Sequence, residues 1–221
     1  RVDDNLFSED IVEFALAVSE GPIRGLTRGA KTFYVGDTQL VSDNDDLNFR
    51  KFAVGVYPGY SEESSKFIQQ KLGGTTSNTT VNVSLQQSTP VTRQTSAVLR
   101  NLIDEIDIRI YFQRLMYASD SGDTDYENAV FDIEYKKVSD SIWLKHTGNT
   151  ITIRGKTTSG YAKDFTIPVP RINEDWMLRV TKHSIDNSET NIIDLSWESF
   201  QLTTKGQVKY PYVAVLHGLG V

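Results

Sequence analysis

The chain has 221 residues, 38% of them hydrophobic, and no cysteine. It can therefore bury one large or two small cores, and it cannot use disulfides, thiolate metal ligands or a cysteine nucleophile. The formal charge of −6 argues against a protein that grips phosphate backbones, because such binding rests on lysine and arginine displacing counterions. No apolar run approaches the roughly 18 residues of a transmembrane helix, and the start lacks the basic-then-apolar order of a signal peptide. With Arg1 first and the apolar run "VAVLHGLGV" last, the chain is expected to be part of a longer polypeptide.

Residues 10 to 18, "DIVEFALAV", are apolar and bounded by Gly21-Pro22, and read as a buried strand, with a short helix as the competing reading. "SEGPIRGLTRGAKTFYVGDTQL" follows, and its Gly21, Pro22, Gly25 and Gly29 predict more than one sharp turn. The Gly-Asp break inside "KTFYVGDTQLV" predicts a tight hairpin. "SDNDDLN" at 42 to 48 is a solvated acidic loop, and "RKFAVGVYPG" is strand-like. "YSEESSKFIQQKLGG" has Ser61 as N-cap, apolar Phe67, Ile68 and Leu72, and closing glycines, which makes it the best helix candidate.

From "TTVNVSLQQ" the pattern changes to period two, with Val81, Val83 and Leu85 on one face. Seven further strands are predicted in "EIDIRIYFQRLMYA", "AVFDIEYKKV", "NTITIRGKT", "KDFTIPVP", "DWMLRVTKHS", "IIDLSWESFQLT" and "YVAVLHGL". Their number and spacing predict a mainly β fold containing a β-sandwich and one or two short helices. "SAVLRNLIDEI" at 96 to 106 fits a helical face as well as a strand.

Chemistry is sparse. His146, His183 and His217 have no spacing that places two imidazoles on one metal, and no nucleophile or orienting group accompanies them. His183 reads as a surface residue and His217 as a hydrogen-bonded core residue. "DSGDTDYE" offers Asp120, Asp123, Asp125 and Glu127 as weak calcium ligands, without EF-hand spacing. The favoured reading is a polar hairpin loop joining strands 105–118 and 128–138. "GLTRGAKT" lacks Walker spacing, and the acceptor patterns "NTT" and "NVS" at 78 and 82 support no function. Trp143, Trp176 and Trp197 could stack on sugars, but are expected in the core. No catalytic residue and no cofactor is predicted.

Several separated motifs point to a family. "SEGPIRGLTRGAKTFYVGDTQL", "TPVTRQ", "ITIRGKTTSGY", "MLRVTKHSIDNSETN" and "YPYVAVLHGLGV" stand in the order seen in the phage lambda tail tip attachment proteins, and the chain resembles that family. These are the host specificity or central tail hub proteins of long-tailed bacteriophages. Gly21, Pro22, Gly25, Gly29, Gly155, Lys156, Thr157, Thr158, Tyr210 and Pro211 fall in the matching stretches as structural signature positions. Arg24 departs from the acidic residue usual there, and "LSWESFQLT" from the usual W-x-S-Y-T-E-I.

The resemblance implies hub-type β domains: an N-terminal part of the hub core at 1–88, a β-sandwich at 89–203, and a return strand to the hub from 204 to 221. It also implies a virion structural protein, not an enzyme, at the distal end of the phage tail. The expected assembly is a homotrimer contacting neighbouring tail tip and tail tube proteins, and the tape measure protein, with DNA passing through without specific binding. Host receptor would be contacted by parts outside this chain. The alternative is a carbohydrate-binding or adhesive β-sandwich module. A cell-wall hydrolase ranks last, for want of paired carboxylates or a nucleophile with its base.

Overall fold

The structure is a computed structural model, and it describes residues 6, 12–49, 51–60, 68–70, 76–96, 100–208 and 212–220. In chain order the strands begin with β1 (Val12–Glu20), β2 (Tyr34–Val35), β3 (Thr38–Gln39), β4 (Phe52–Tyr57) and β5 (Ile68–Gln70). Next come β6 (Thr76–Ser84), β7 (Val91–Gln94), β8 (Glu105–Ala118), β9 (Thr124–Asp125) and β10 (Glu127–Lys137). They continue with β11 (Leu144–Lys145), β12 (Ile151–Gly155), β13 (Tyr161–Pro168), β14 (Trp176–Lys182) and β15 (Asn191–Thr203). β16 (Gly206–Val208) and β17 (Val213–Gly220) end the series, and short 3-10 turns occupy Gly29–Thr32 and Arg100–Leu102. The mainly β expectation, with one or two short helical pieces, holds. Two compact units result: Arg1–Ser8 with Gly74–Lys205, and Glu9–Gly73 with Gly206–Val221.

The first unit is a sandwich of two antiparallel sheets. One has the order β13-β8-β15-β6, with β9 added to β8; the other has β11-β10-β14-β7, with β12 also on β10. Alternation along β8 sends Ile106, Ile108, Ile110 and Phe112 into the core. The phase then slips. Leu195 pairs with Phe112 and Asp194 with Arg114, so Gln113 is an extra residue, and Leu115 becomes the next buried position. A second slip at Glu198 moves the buried set on β15 from Leu195 and Trp197 to Phe200 and Leu202. Between the sheets, Phe131 meets Phe112 at 6.3 Å and Phe165 edge-on at 5.6 Å.

Polar pairs lock the outer layer. Arg109 grips Asp164 with two bonds of 2.7 Å across the β8–β13 register, and Arg114 reaches Asp194 at 2.7 Å. Asp104, just before β8, ties three segments. Its carboxylate accepts two bonds from Arg171, at 2.7 and 2.9 Å, and the Lys205 backbone N–H at 2.7 Å. The Arg171 hydrogen bonds hold the Asp104 carboxyl below its usual value, against the opposing effect of burial. A depressed folded-state pKa stabilises above the unfolded value, and that contribution disappears as pH falls through the folded value. Because water screens this pair, Asp104→Asn should cost no more than about 1 kcal/mol near neutrality. The gap between wild type and variant should close in acid, as measured by thermal melts across pH.

Several expectations are corrected. Residues 61–67 and 71–74 of the predicted helix lie outside the described residues, but Ile68–Gln70 is a strand. Its backbone pairs with Gly206–Val208, a distant partner that local periodicity could not reveal. The sandwich starts before residue 89, because Thr76–Ser84 pairs along β15. Strands 105–118 and 128–138 are not hairpin partners. β9 turns back onto β8 through Tyr117↔Asp125, and β10 then crosses to the other sheet, where β14 and β12 flank it. The open segment at 96–106 contains the 3-10 turn at Arg100–Leu102 before β8 begins.

The second unit carries the three-stranded sheet β1-β17-β4, together with the hairpin β2-β3 and the pair β5-β16. The hairpin is the predicted one, turning at Gly36-Asp37 with Gly36 at φ 60°. Asp43 and Asp45 of the acidic loop are ion partners of Arg28 and Lys31.

Candidate functional site

Gly21, Gly25 and Gly29 have φ of 96°, 114° and 58°, in the left-handed region that glycine enters at least cost. Gly21 donates its N–H to the Tyr212 carbonyl at 2.8 Å, and Ile23, after Pro22, donates to Pro58 at 2.9 Å. These turns thus fasten the end of β1 beside the start of β17 and the end of β4. In the sandwich, Gly155 is buried where a Cβ would run into Leu6. Lys156 donates to the Thr124 carbonyl at 2.8 Å, Thr157 bridges Leu115, and Thr158 is exposed. Tyr210 and Pro211 lie outside the described residues.

The strand expected at 10 to 18 is β1 over its described part, Val12–Glu20, but it is not buried: Val12 is 58% exposed, Leu16 51% and Val18 46%. Gly218 and Gly220 on β17 leave room that a Cβ would take from the Phe14 and Phe52 rings. Phe33 joins them, with ring centroids 6.1–6.2 Å apart. This cluster floors an open groove of about 420 Å³, walled by Val12, Leu16, Tyr34 and Val35. Exposed apolar side chains gathered in one patch are a recurrent feature of interaction surfaces and ligand grooves. Sequence reasoning missed it, although the Gly218-x-Gly220 alternation opposite Phe14 and Phe52 carries the signal.

The candidate metal and sugar positions behave differently. Asp123 accepts a bond from Ser121 at 3.1 Å, Asp125 from the Tyr126 N–H at 2.7 Å, and Glu127 from the Asn128 N–H at 2.7 Å, while Asp120 is exposed. Among the described residues no group of three or more His, Cys, Asp or Glu is placed to hold a metal ion. The melting temperature should therefore be the same in calcium and in chelator. An ion bound at a hundred times its Kd would instead add about 2.7 kcal/mol.

Trp176 and Trp197 are core residues, 3% and 0% exposed. Trp143 is not. It lies half-buried on the surface, with the Arg179 guanidinium 4.2 Å and the Lys136 ammonium 5.4 Å from its ring, because neighbouring cations find the π-face. The three tryptophans therefore form no shared stacking platform.

The histidines are dispersed as well. His183 Nε2 lies 2.8 Å from Asp132, a buried carboxylate that also pairs with Lys145 at 2.8 Å. Burial raises the Asp132 pKa, but the hydrogen bonds from Lys145 and His183 outweigh it and hold the group below its usual value. His146 is packed edge-on against Phe165, and burial pushes its pKa down. His217 is half-buried on β17. The hydroxyl beside the Asp132 cluster is that of Thr150, which accepts a bond from Lys145 at 3.1 Å.

The chain thus combines a two-sheet antiparallel sandwich with a second unit whose three-stranded sheet carries exposed apolar side chains. Residues 75–206 match the FNIII-A domain of tip attachment protein J. That is more than half of the chain, and the chain belongs to the tip attachment protein J family of phage lambda type. It is thus a phage tail component with a tip attachment role, in a family that is structural. Among solved structures, a carbohydrate-binding module specific for non-crystalline cellulose is similar over 61% of this chain and 71% of that one. At 8% identity and a TM-score of 0.29 this likeness carries no argument about binding.

Proposed function

We infer that the chain is a building block of the central hub at the distal end of the tail, where it caps the tail tube and supports host attachment and genome delivery. The family membership of residues 75–206 carries this reading. The hub is a homotrimer around the DNA channel, and the Phe14–Phe33–Phe52 groove is the seat of a neighbouring copy. An apolar surface of this kind is costly in water and stabilising once covered. Tail tube and tape measure proteins are its further neighbours, and receptor contact belongs to regions outside this chain. The net charge of −6 suits a wall past which DNA slides without sticking. Electron cryomicroscopy of the tail tip tests the arrangement. Three copies around the channel, with β1 of each against its neighbour, support it; copies placed singly or on the tail's side contradict it.

A further inference from the structure

Among the described residues β6 is an edge strand, paired only with β15. Such an edge offers alternate backbone N–H and C=O groups to any other strand, and proteins usually blunt it with charge, proline or a bulge. The opposite edge of the same sheet, β13, does so: it carries Lys163 and Asp164 and ends on Pro168. In the facing sheet the edge strand β7 has only four residues, including Arg93, directly after Pro90. β6 has nine residues, "TSNTTVNVS", with no charge and no proline.

Only its second half is guarded. Thr80 pairs with Ser199 and Val83 with Trp197, so Val81 and Asn82 together oppose Glu198, and Asn82 takes φ 47°. Before this bulge, Thr76–Thr80 pairs in unbroken register with Ser199–Thr203, and all five residues are exposed. At about 3.4 Å per residue this is a straight rim of about 17 Å.

Resting on the tail-tip reading above, we propose that Thr76–Thr80 receives an extended segment of a neighbouring tail-tip polypeptide, which adds to the sheet as a strand beside β6. The rim sets the chemistry of that segment. Main-chain hydrogen bonds supply the attraction, which excludes proline from the paired stretch. Ser, Thr and Asn side chains on both rows match small uncharged or β-branched partners, whereas a charged partner residue would meet no counter-charge among these five residues. The occupant is a stretch of about five uncharged, proline-free residues.

Amide hydrogen exchange of Thr76–Thr80, compared between the free chain and purified tail tips, tests this. The expected result is rapid exchange, in the free chain, of those amides in Thr76–Thr80 that point away from β15, and their protection by at least about a hundredfold in tail tips. Asn78→Lys, which places on β6 the kind of charge β13 carries, should leave the melting temperature of the free chain unchanged and reduce infectious particles at least about tenfold. If peptides of the chain are recovered from tail tips and residues 76–80 exchange there as fast as in the free chain, the strand addition is wrong and the tail-tip reading stands. If no peptide of the chain is recovered from tail tips, both fall.

Discussion

Trp197→Ala is expected to lower stability by about 3–5 kcal/mol, which in a domain of this size moves the melting temperature by roughly 10–20 °C. Trp197 is 0% exposed, its indole N–H donates to the Ser199 carbonyl at 3.0 Å, and its ring lies 6.2 Å from Phe200. Truncation removes the packing and opens a cavity next to the bulge at Glu198, whose register depends on a filled core on either side. Single domains are stable by only about 5–15 kcal/mol, so the variant approaches the unfolding limit. Trp143→Ala is the matched control. It loses a surface cation–π contact worth about 0.5–1 kcal/mol, and should melt within a few degrees of wild type. Equal losses from both substitutions, measured by circular dichroism melts, would refute the assignment of core and surface tryptophans.

Leu16→Asp should act in the opposite way, sparing the fold and disabling assembly. Leu16 is 51% exposed on β1, so a carboxylate there remains in water while the chain is free. Once a neighbouring copy covers the groove, the same carboxylate is buried without a partner, at a cost of several kcal/mol. Each 1.4 kcal/mol is tenfold in association, and complementation of a phage defective in this gene should yield at least about a hundredfold fewer infectious particles. The purified variant should melt as wild type does. Full complementation would show that the groove stays open in the tail, and would remove the proposed subunit contact.

The contrast between these two sites shows what the sequence carries. The long strands of the sandwich were legible because alternation of apolar and polar residues survives along most of β8, β10, β14 and β15. The slips at Gln113 and Glu198 were not, since a bulge shifts the phase without a local residue signature, and only the partner strand reveals the extra residue. β5 escaped for a related reason. Its stabilisation comes from Gly206–Val208, far along the chain, while the surrounding residues have helical spacing. β7 and β11 are too short for periodicity to speak.

The candidate interface was legible only in part. "DIVEFALAV" and "VAVLHGLGV" announce apolar strands, and apolar strands are ordinarily covered by their own chain. Among the described residues, Val12, Leu16 and Val18 remain exposed on the sheet β1-β17-β4, and no periodicity argument can tell whether a second layer covers a strand's apolar face. The glycines of the opening motif were read correctly as turns, yet their purpose appears only in three dimensions: Gly21 is bonded to Tyr212, nearly the full length of the chain away. The family resemblance reached the tail tip from the sequence because it rests on ordered motifs, which are insensitive to those distant pairings.

The most direct test of the tail-tip role is immunogold labelling of phage particles with antibody raised against this chain. Gold confined to the distal end of the tails is the predicted result. Unlabelled particles, with the signal on cells or in soluble fractions, would contradict it.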